Sequence, residues 1–487
     1  MADLTPQDWF ETIAAMFTSP TRRPWEDRLT RPSRELAAGN HFTRYTTARN
    51  RYLDMLWSYN VGDPPLPAIE PEYRDAFLHV MRKARSNYAP MCIRAMLDRM
   101  ELQAVSTPLD SDVNGDDVAA DIMDQTGFVA VLKEIFEYAF SMGEAYAMVV
   151  PGTAGDTVLD NGVAVPSIHA IDPRRCIGVP DPLHPIRLAA AVVRHSDPIR
   201  GEELAYLFLP GEKWTLNFTS GSWGVADPVP EPVAGFDQLG GVPIVRFDNL
   251  NGLGEYEPHI DLLDRINDTT LQRIIGFWYQ ALRQRAIMGD DDEHDEDDPD
   301  LDGAVRDLGA ELKAGPGALW RFPNDWTIWE SQQTDFGPFI NAKRDDVKEF
   351  AAVTATPLHL ITPDAAGGSA EGAGLMRESL TSKVRDRRAR FTPPLRLLWR
   401  IAFAMAGEAG RGRRMRLHWG PIEFRTLAEK ASASSQAVGT LSTETRGTLI
   451  WDLTPDENDL NLQQLQAEQI VADSAVPLLP GNDISPG

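Results

Sequence analysis

Residues 258–287, PHIDLLDRINDTTLQRIIGFWYQALRQRAI, carry the longest helical pattern in the 487-residue chain. Leu262, Leu263, Ile266, Leu271, Ile274, Ile275, Trp278 and Leu282 recur at three- and four-residue spacing, which lines them along one helix face. Pro258 suits a first turn, where its missing N–H costs nothing, and Gly289 is expected to end the helix. Thirty residues at about 1.5 Å each make a rod of about 45 Å. A compact insertion follows, with strands predicted over Ala318–Phe322 and Trp326–Trp329. A second helix is predicted over 338–356 and a third from about Met376 to Ala406, which Pro393-Pro394 should kink or interrupt. Two long helices bracketing a small insertion describe an elongated protein with an antiparallel helical stalk.

Working outward, the preceding chain reads as helices over Asp8–Phe17, Thr43–Tyr59, Glu72–Arg82 and Asn87–Met100, with a strand over Glu101–Val105. A helix through Phe140 should stop at Gly143. Strands are then expected at Ala145–Val150, Ser167–Ile171, Leu188–Arg194, Glu203–Leu209, Lys213–Phe218 and Ile244–Phe247. Short strands punctuated by Gly, Pro and Asp imply one mostly antiparallel sheet covered by the earlier helices, an α+β unit over about 1–255. After the stalk come a small-residue loop, Thr362–Gly374, a strand near Met415–Phe424, helices over Thr426–Ile470, and a loose Pro- and Gly-rich tail.

Bulk chemistry narrows the function. Hydrophobic content of 43% and charged content of 24% are ordinary, but a formal net charge of −25 is not. Such a surface repels phosphate at long range, which argues against tight, sequence-specific DNA binding while permitting a wall along which DNA slides. Cys92 and Cys176 lack C-x-x-C spacing and read as buried free thiols in a reducing compartment. The first 23 residues have no signal-peptide core, and no apolar run nears the roughly 18 residues of a membrane span, so a soluble protein made in the cytoplasm is expected.

No enzyme signature is present: neither a phosphate loop, nor H-E-x-x-H, nor G-x-S-x-G. Gly367-Gly368-Ser369-Ala370-Glu371 lacks the closing glycine of a nucleophile elbow. Asp298, Asp300, Asp302 and Gly303 match the first half of a calcium loop, but its twelfth position is Gly309 rather than Glu, so the acidic run 290–302 reads as a solvated loop. His418 and Trp419 have a core or interface role by default. Between Arg377 and Arg425 thirteen Lys or Arg face four acids, a local +9. Two accounts stand for Arg385, Arg387, Arg388 and Arg390 in that segment: salt bridges to acidic neighbouring subunits or domains, or local phosphate contact.

Several short segments, in order, resemble tailed-bacteriophage portal proteins of the siphophage type. They are Trp57-Ser58-Tyr59-Asn60-Val61-Gly62, then Gly143-Glu144-Ala145-Tyr146, then Pro243–Asn249 with Gly254 and Asp264–Thr269, and finally Thr356–Leu360 with Ser369–Leu375. The resemblance implies a portal-like α+β fold with an α/β wing, an antiparallel helical stem, a small α/β clip and a helical crown. By position the wing is 1–257 with the return segment 375–425, the stem 258–287 with 338–356, the clip 288–337, the tunnel loop 357–374, the crown 426–473 and the tail 474–487. It further implies a homo-oligomeric ring, twelve-fold in the virion and of twelve or thirteen subunits when recombinant. Double-stranded DNA would pass through it during packaging and ejection. Terminase, a head-completion or adaptor protein, and the major capsid or scaffolding protein are the implied partners, at the capsid portal vertex and in the host cytoplasm during assembly.

No catalytic residue, cofactor, metal or membrane is implied. Thr362, Asp364, Gly367, Gly368, Ser369, Glu371, Gly372 and Gly374 would line the DNA channel, and Trp320, Phe322, Trp326 and Trp329 would supply clip core and partner contacts. Two other classes compete. A capsid-associated scaffold or adaptor protein would rarely need this α+β body, and a metal-dependent nuclease would need its acids clustered on ordered strands rather than in one run.

Overall fold

The computed structural model describes residues 4–18, 49–66, 78–108, 115–199, 201–219, 221–233, 241–281, 285–288, 327–330, 335–362, 370–423 and 427–474. From the N-terminus come α1 (Pro6–Thr18), α2 (Arg49–Val61), α3 (Ala89–Leu97), β1 (Leu102–Ser106), α4 (Asp117–Thr126) and α5 (Phe128–Met142). A run of strands follows: β2 (Glu144–Val150), β3 (Ser167–Ile171), β4 (Cys176–Pro180), β5 (Leu188–Asp197), β6 (Glu202–Leu209), β7 (Glu212–Thr219), β8 (Ser222–Val225), β9 (Glu231–Pro232) and β10 (Ile244–Asp248). Next are α6 (Ile260–Ala281), β11 (Arg285–Met288), β12 (Thr327–Glu330), α7 (Gly337–Val353), α8 (Leu358–Ile361) and α9 (Ala370–Met405). The chain closes with β13 (Arg416–Trp419), α10 (Leu427–Gln436), α11 (Thr443–Leu449) and α12 (Pro455–Ser474). These elements fall into two compact units, one of residues 1–65, 86–264 and 347–487, the other of 66–85 and 265–346.

The first unit departs from the single sheet expected of it. Its strands form a sheet of order β4-β5-β6-β7-β8, with β9 on β7, a three-stranded sheet β10-β2-β3, and the pair β1-β13. All of these pairings are antiparallel. The reason lies in the alternation along the strands. Ile177, Ala190, Val192, Ala205, Leu207 and Leu216 face α1, whose Phe10, Ile13 and Phe17 fill one buried cluster. Their neighbours Cys176, Leu188, Ala191 and Phe208 point the other way, onto Tyr146, Ile171 and Ile244 of the smaller sheet. A sheet apolar on both faces needs a layer on each side. Burying each large α1 side chain contributes roughly 1.5–3 kcal/mol.

A third core is aromatic. Phe128 and Phe136 of α5 meet Trp399 and Phe391 of α9 at ring separations of 5.1 and 5.0 Å. Leu380, Val384, Phe391, Leu395, Leu398 and Trp399 keep the buried side of α9 at helical spacing. This packing explains why α9 runs unbroken through Pro393 and Pro394, against the expected interruption. Pro394 lies on the buried side and Pro393 is exposed, and Thr392 donates from Oγ1 to the Arg388 carbonyl at 2.6 Å. Tertiary burial on both sides of the pair outweighs the lost backbone bonds.

In the second unit, Arg265 and Asp346 form an ion pair at 3.0 Å. Further along, the Phe277 and Phe336 rings lie 4.2 Å apart. The two helical stretches therefore run antiparallel, and β11 pairs with β12 from Arg285↔Glu330 to Met288↔Thr327. The first stalk helix is thus shorter than expected. It ends at Ala281, about 33 Å for 22 residues, and Arg285–Met288 is a strand rather than its last turn. Val80, Met81 and Ala84 pack on Leu271.

Candidate functional site

Two glycines of the quoted segments meet at one junction. Gly143 ends α5 with φ +83, in the left-handed region, and a Cβ there would overlap the Gly252 carbonyl. A Cβ at Gly254 would overlap the Ser141 carbonyl. Backbone bonds close the approach, the Asn249 N–H donating to Gly143 O at 3.0 Å and the Glu255 N–H to Phe140 O at 2.7 Å.

That junction aims Glu255 into the body. Its carboxylate accepts from Lys383 Nζ at 2.8 Å and Arg387 Nε at 2.7 Å, both on α9, and from Asn249 Nδ2 at 3.0 Å. Burial alone raises the pKa of Glu255, but the Lys383 and Arg387 charges outweigh it and hold the carboxyl below its ordinary value. Beside it Glu257, fully buried, accepts from Tyr52 Oη at 2.8 Å and from the Gly254 N–H at 2.7 Å. Glu144, at the start of β2, takes Arg49 at 2.7 Å and Arg246 at 3.3 Å. Long-range ion pairs therefore tie α9 and the strand edges into one body.

The sequence-derived site residues distribute unevenly. Thr362 follows α8 and donates from Oγ1 to the Leu358 carbonyl at 3.2 Å. Asp364, Gly367, Gly368 and Ser369 lie outside the described residues, as do Trp320, Phe322, Trp326 and the calcium-like run 290–302. Glu371, Gly372 and Gly374 belong to the first turns of α9 rather than to a loop, a correction to the expected Thr362–Gly374 span. The backbone of Trp329 pairs with Ala286 in the β11-β12 ladder. Among the described residues no group of three or more His, Cys, Asp or Glu is placed to hold a metal ion, and no helix is long and apolar enough to cross a membrane.

The basic segment splits in two. Arg387 is buried in its pair with Glu255. Arg388 donates to the Arg99 and Gly420 carbonyls and lies 5.2 Å over the Trp419 ring, and burial pushes its pKa down to about 10. Arg385 and Arg390 are exposed. Glu255 carries no local signal in the sequence, because its basic partners lie more than a hundred residues away.

The phage portal protein family, SPP1 Gp6-like, matches residues 79–474, most of the chain, and the chain belongs to that family. No curated protein sequence matches significantly. Among solved structures, the neck of a native gene transfer agent particle with C12 symmetry is similar at 14% identity and TM-score 0.41, covering 82% of this chain and 98% of that one. A native gene transfer agent virion is similar at 13% identity and TM-score 0.42, with 85% and 96% covered.

Proposed function

We propose that the chain is the portal subunit of a tailed phage or phage-like particle. In this reading it forms a homo-oligomeric ring at one capsid vertex, through which double-stranded DNA is packaged and ejected. Terminase and head-completion proteins dock on that ring. The observation that carries the reading is the family match over residues 79–474. The mixed helix-and-sheet body and the antiparallel pair of stalk helices in the second unit are in keeping with it. By position, residues 288–337 take the clip role, with β11 joining them from the stalk, and the channel loop contracts to about 362–369 ahead of α9. The body 1–257 with 375–425 is the wing, and 426–473 the crown. Catalysis plays no part, because the work of packaging falls to a separate motor.

The experiment is microscopy and light scattering of the purified chain at micromolar concentration over a range of salt. Rings of about twelve or thirteen subunits with a central hole are expected. Monomers under every condition would overturn the reading.

A further inference from the structure

Five arginine side chains have no ion-pair partner among the described residues. Arg396 and Arg400 of α9, Arg413 and Arg414 of the following turn, and Arg416 of β13 are all exposed. None of their side chains makes a hydrogen bond or ion pair with another described residue. They line one open cleft of about 1350 Å³ between α9, β13 and the helices α11 and α12, where Ser106 adds a hydroxyl. A chain with an excess of 25 acidic charges had ample carboxylates to neutralise them. Elsewhere it does so, at Arg387, Arg246 and Arg49. The far wall carries three carboxylates, Glu444, Asp452 and Asp459, which the five arginines outnumber, and Asp452 is already held by Lys430 at 2.7 Å.

The geometry points to this cleft as a binding site for the phosphodiester backbone of double-stranded DNA, contacted without regard to sequence. All five cations are Arg and none is Lys, and the guanidinium fork matches phosphate oxygens two at a time. Five charges spread along a cleft larger than most small-ligand pockets suit a polymer with repeating phosphates better than a single free phosphate. The surrounding negative surface repels DNA at a distance, so contact is confined to the cleft and is weak and salt-sensitive. DNA as the polymer rests on the portal reading; the free arginines do not.

The experiment measures binding of a labelled duplex to the assembled full chain between 50 and 200 mM NaCl. With five contacts the affinity falls on the order of 500-fold across that range, and about 12-fold when only two remain. The triple variant Arg413→Ala, Arg414→Ala, Arg416→Ala is expected to show the shallow dependence. The three corresponding Lys variants keep the steep one, because they keep the charge. Arg385→Ala with Arg390→Ala, exposed but outside the cleft, leaves it unchanged. Three outcomes overturn the site: no duplex binding by the unaltered chain at 50 mM, an unchanged salt dependence in the triple Ala variant, or displacement of duplex by the peptide of residues 290–302 as readily as by unlabelled DNA. Loss of rings in the triple Ala variant, with duplex binding intact, reassigns the arginines to a neighbouring copy and also overturns it. Monomeric unaltered protein that still shows the steep dependence defeats the portal reading and leaves the site standing.

Discussion

Gly143 and Glu255 show how single residues hold the body together. Replacing Gly143 with Ala forces a Cβ into the left-handed region, at about 1–2 kcal/mol, and against the Gly252 carbonyl as well. A lowered thermal midpoint for Gly143→Ala is expected, whereas the same change at Gly127, with open space around its Cβ, should lose less. Glu255→Gln leaves Lys383 and Arg387 facing an uncharged group in a buried setting, and the loss should be about 3–5 kcal/mol at neutral pH. The sign with pH follows from the depressed folded pKa of Glu255. Its contribution is present above the unfolded carboxyl pKa of about 4.3 and disappears as pH falls through the lower folded value. Denaturant melts of the two proteins should therefore converge in acid, and a constant gap from pH 7 to pH 3 would contradict the role given to this ion pair. Of this junction the glycines were legible, since a glycine between an apolar helix and an apolar strand marks a turn. Glu255 was not, because its partners join it only through the tertiary fold.

At the scale of elements, α6 and α9 carry the lesson of what periodicity settles. Arg285-Ala286-Ile287-Met288 continues an apolar helical pattern and alternates as a strand equally well. Four residues cannot distinguish the two, and the pairing with Thr327–Glu330 decides. In α9 the two prolines misled in the opposite direction, because local propensity yields to a face buried along the whole helix. Since Pro393 is exposed, Pro393→Ala removes its helix penalty without losing packing. Its thermal midpoint should rise, by a gain of up to about 3 kcal/mol; a fall would mean the proline shape itself is required. Gly372 and Gly374 are helical, so Ala at either is expected to stabilise by roughly 0.5–1 kcal/mol. Val at Gly367 and Gly368, in the channel loop of the proposed function, should permit ring assembly yet impair packaging or retention of genome-length DNA. Normal packaging by that Val variant would move the constriction elsewhere in the chain.

For the molecule as a whole, two long helices around an insertion were readable from spacing alone, but the layering of the sheets was not. Alternation shows that a strand has two apolar faces and leaves open which layer covers each. Because residues 265–346 belong to a unit of their own with 66–85, deleting 304–335 should leave the first unit folded while abolishing docking of the packaging motor. A pull-down with terminase against the deleted ring checks this, and undiminished capture would remove the clip assignment. The first unit has another property that concerns time. Its β1 strand, Leu102–Ser106, finds its partner only at Arg416–Trp419, more than three hundred residues later. At about 5–20 residues per second on the ribosome, that edge waits for something like 15–60 s before its complement exists. Until then the β1 edge has no partner strand, and for most of that interval Phe128 and Phe136 lack Trp399 and Phe391 to pack on. A chain truncated before Arg416 lacks the strand that pairs with β1 and, on the proposed function, is expected to be missing from assembled rings.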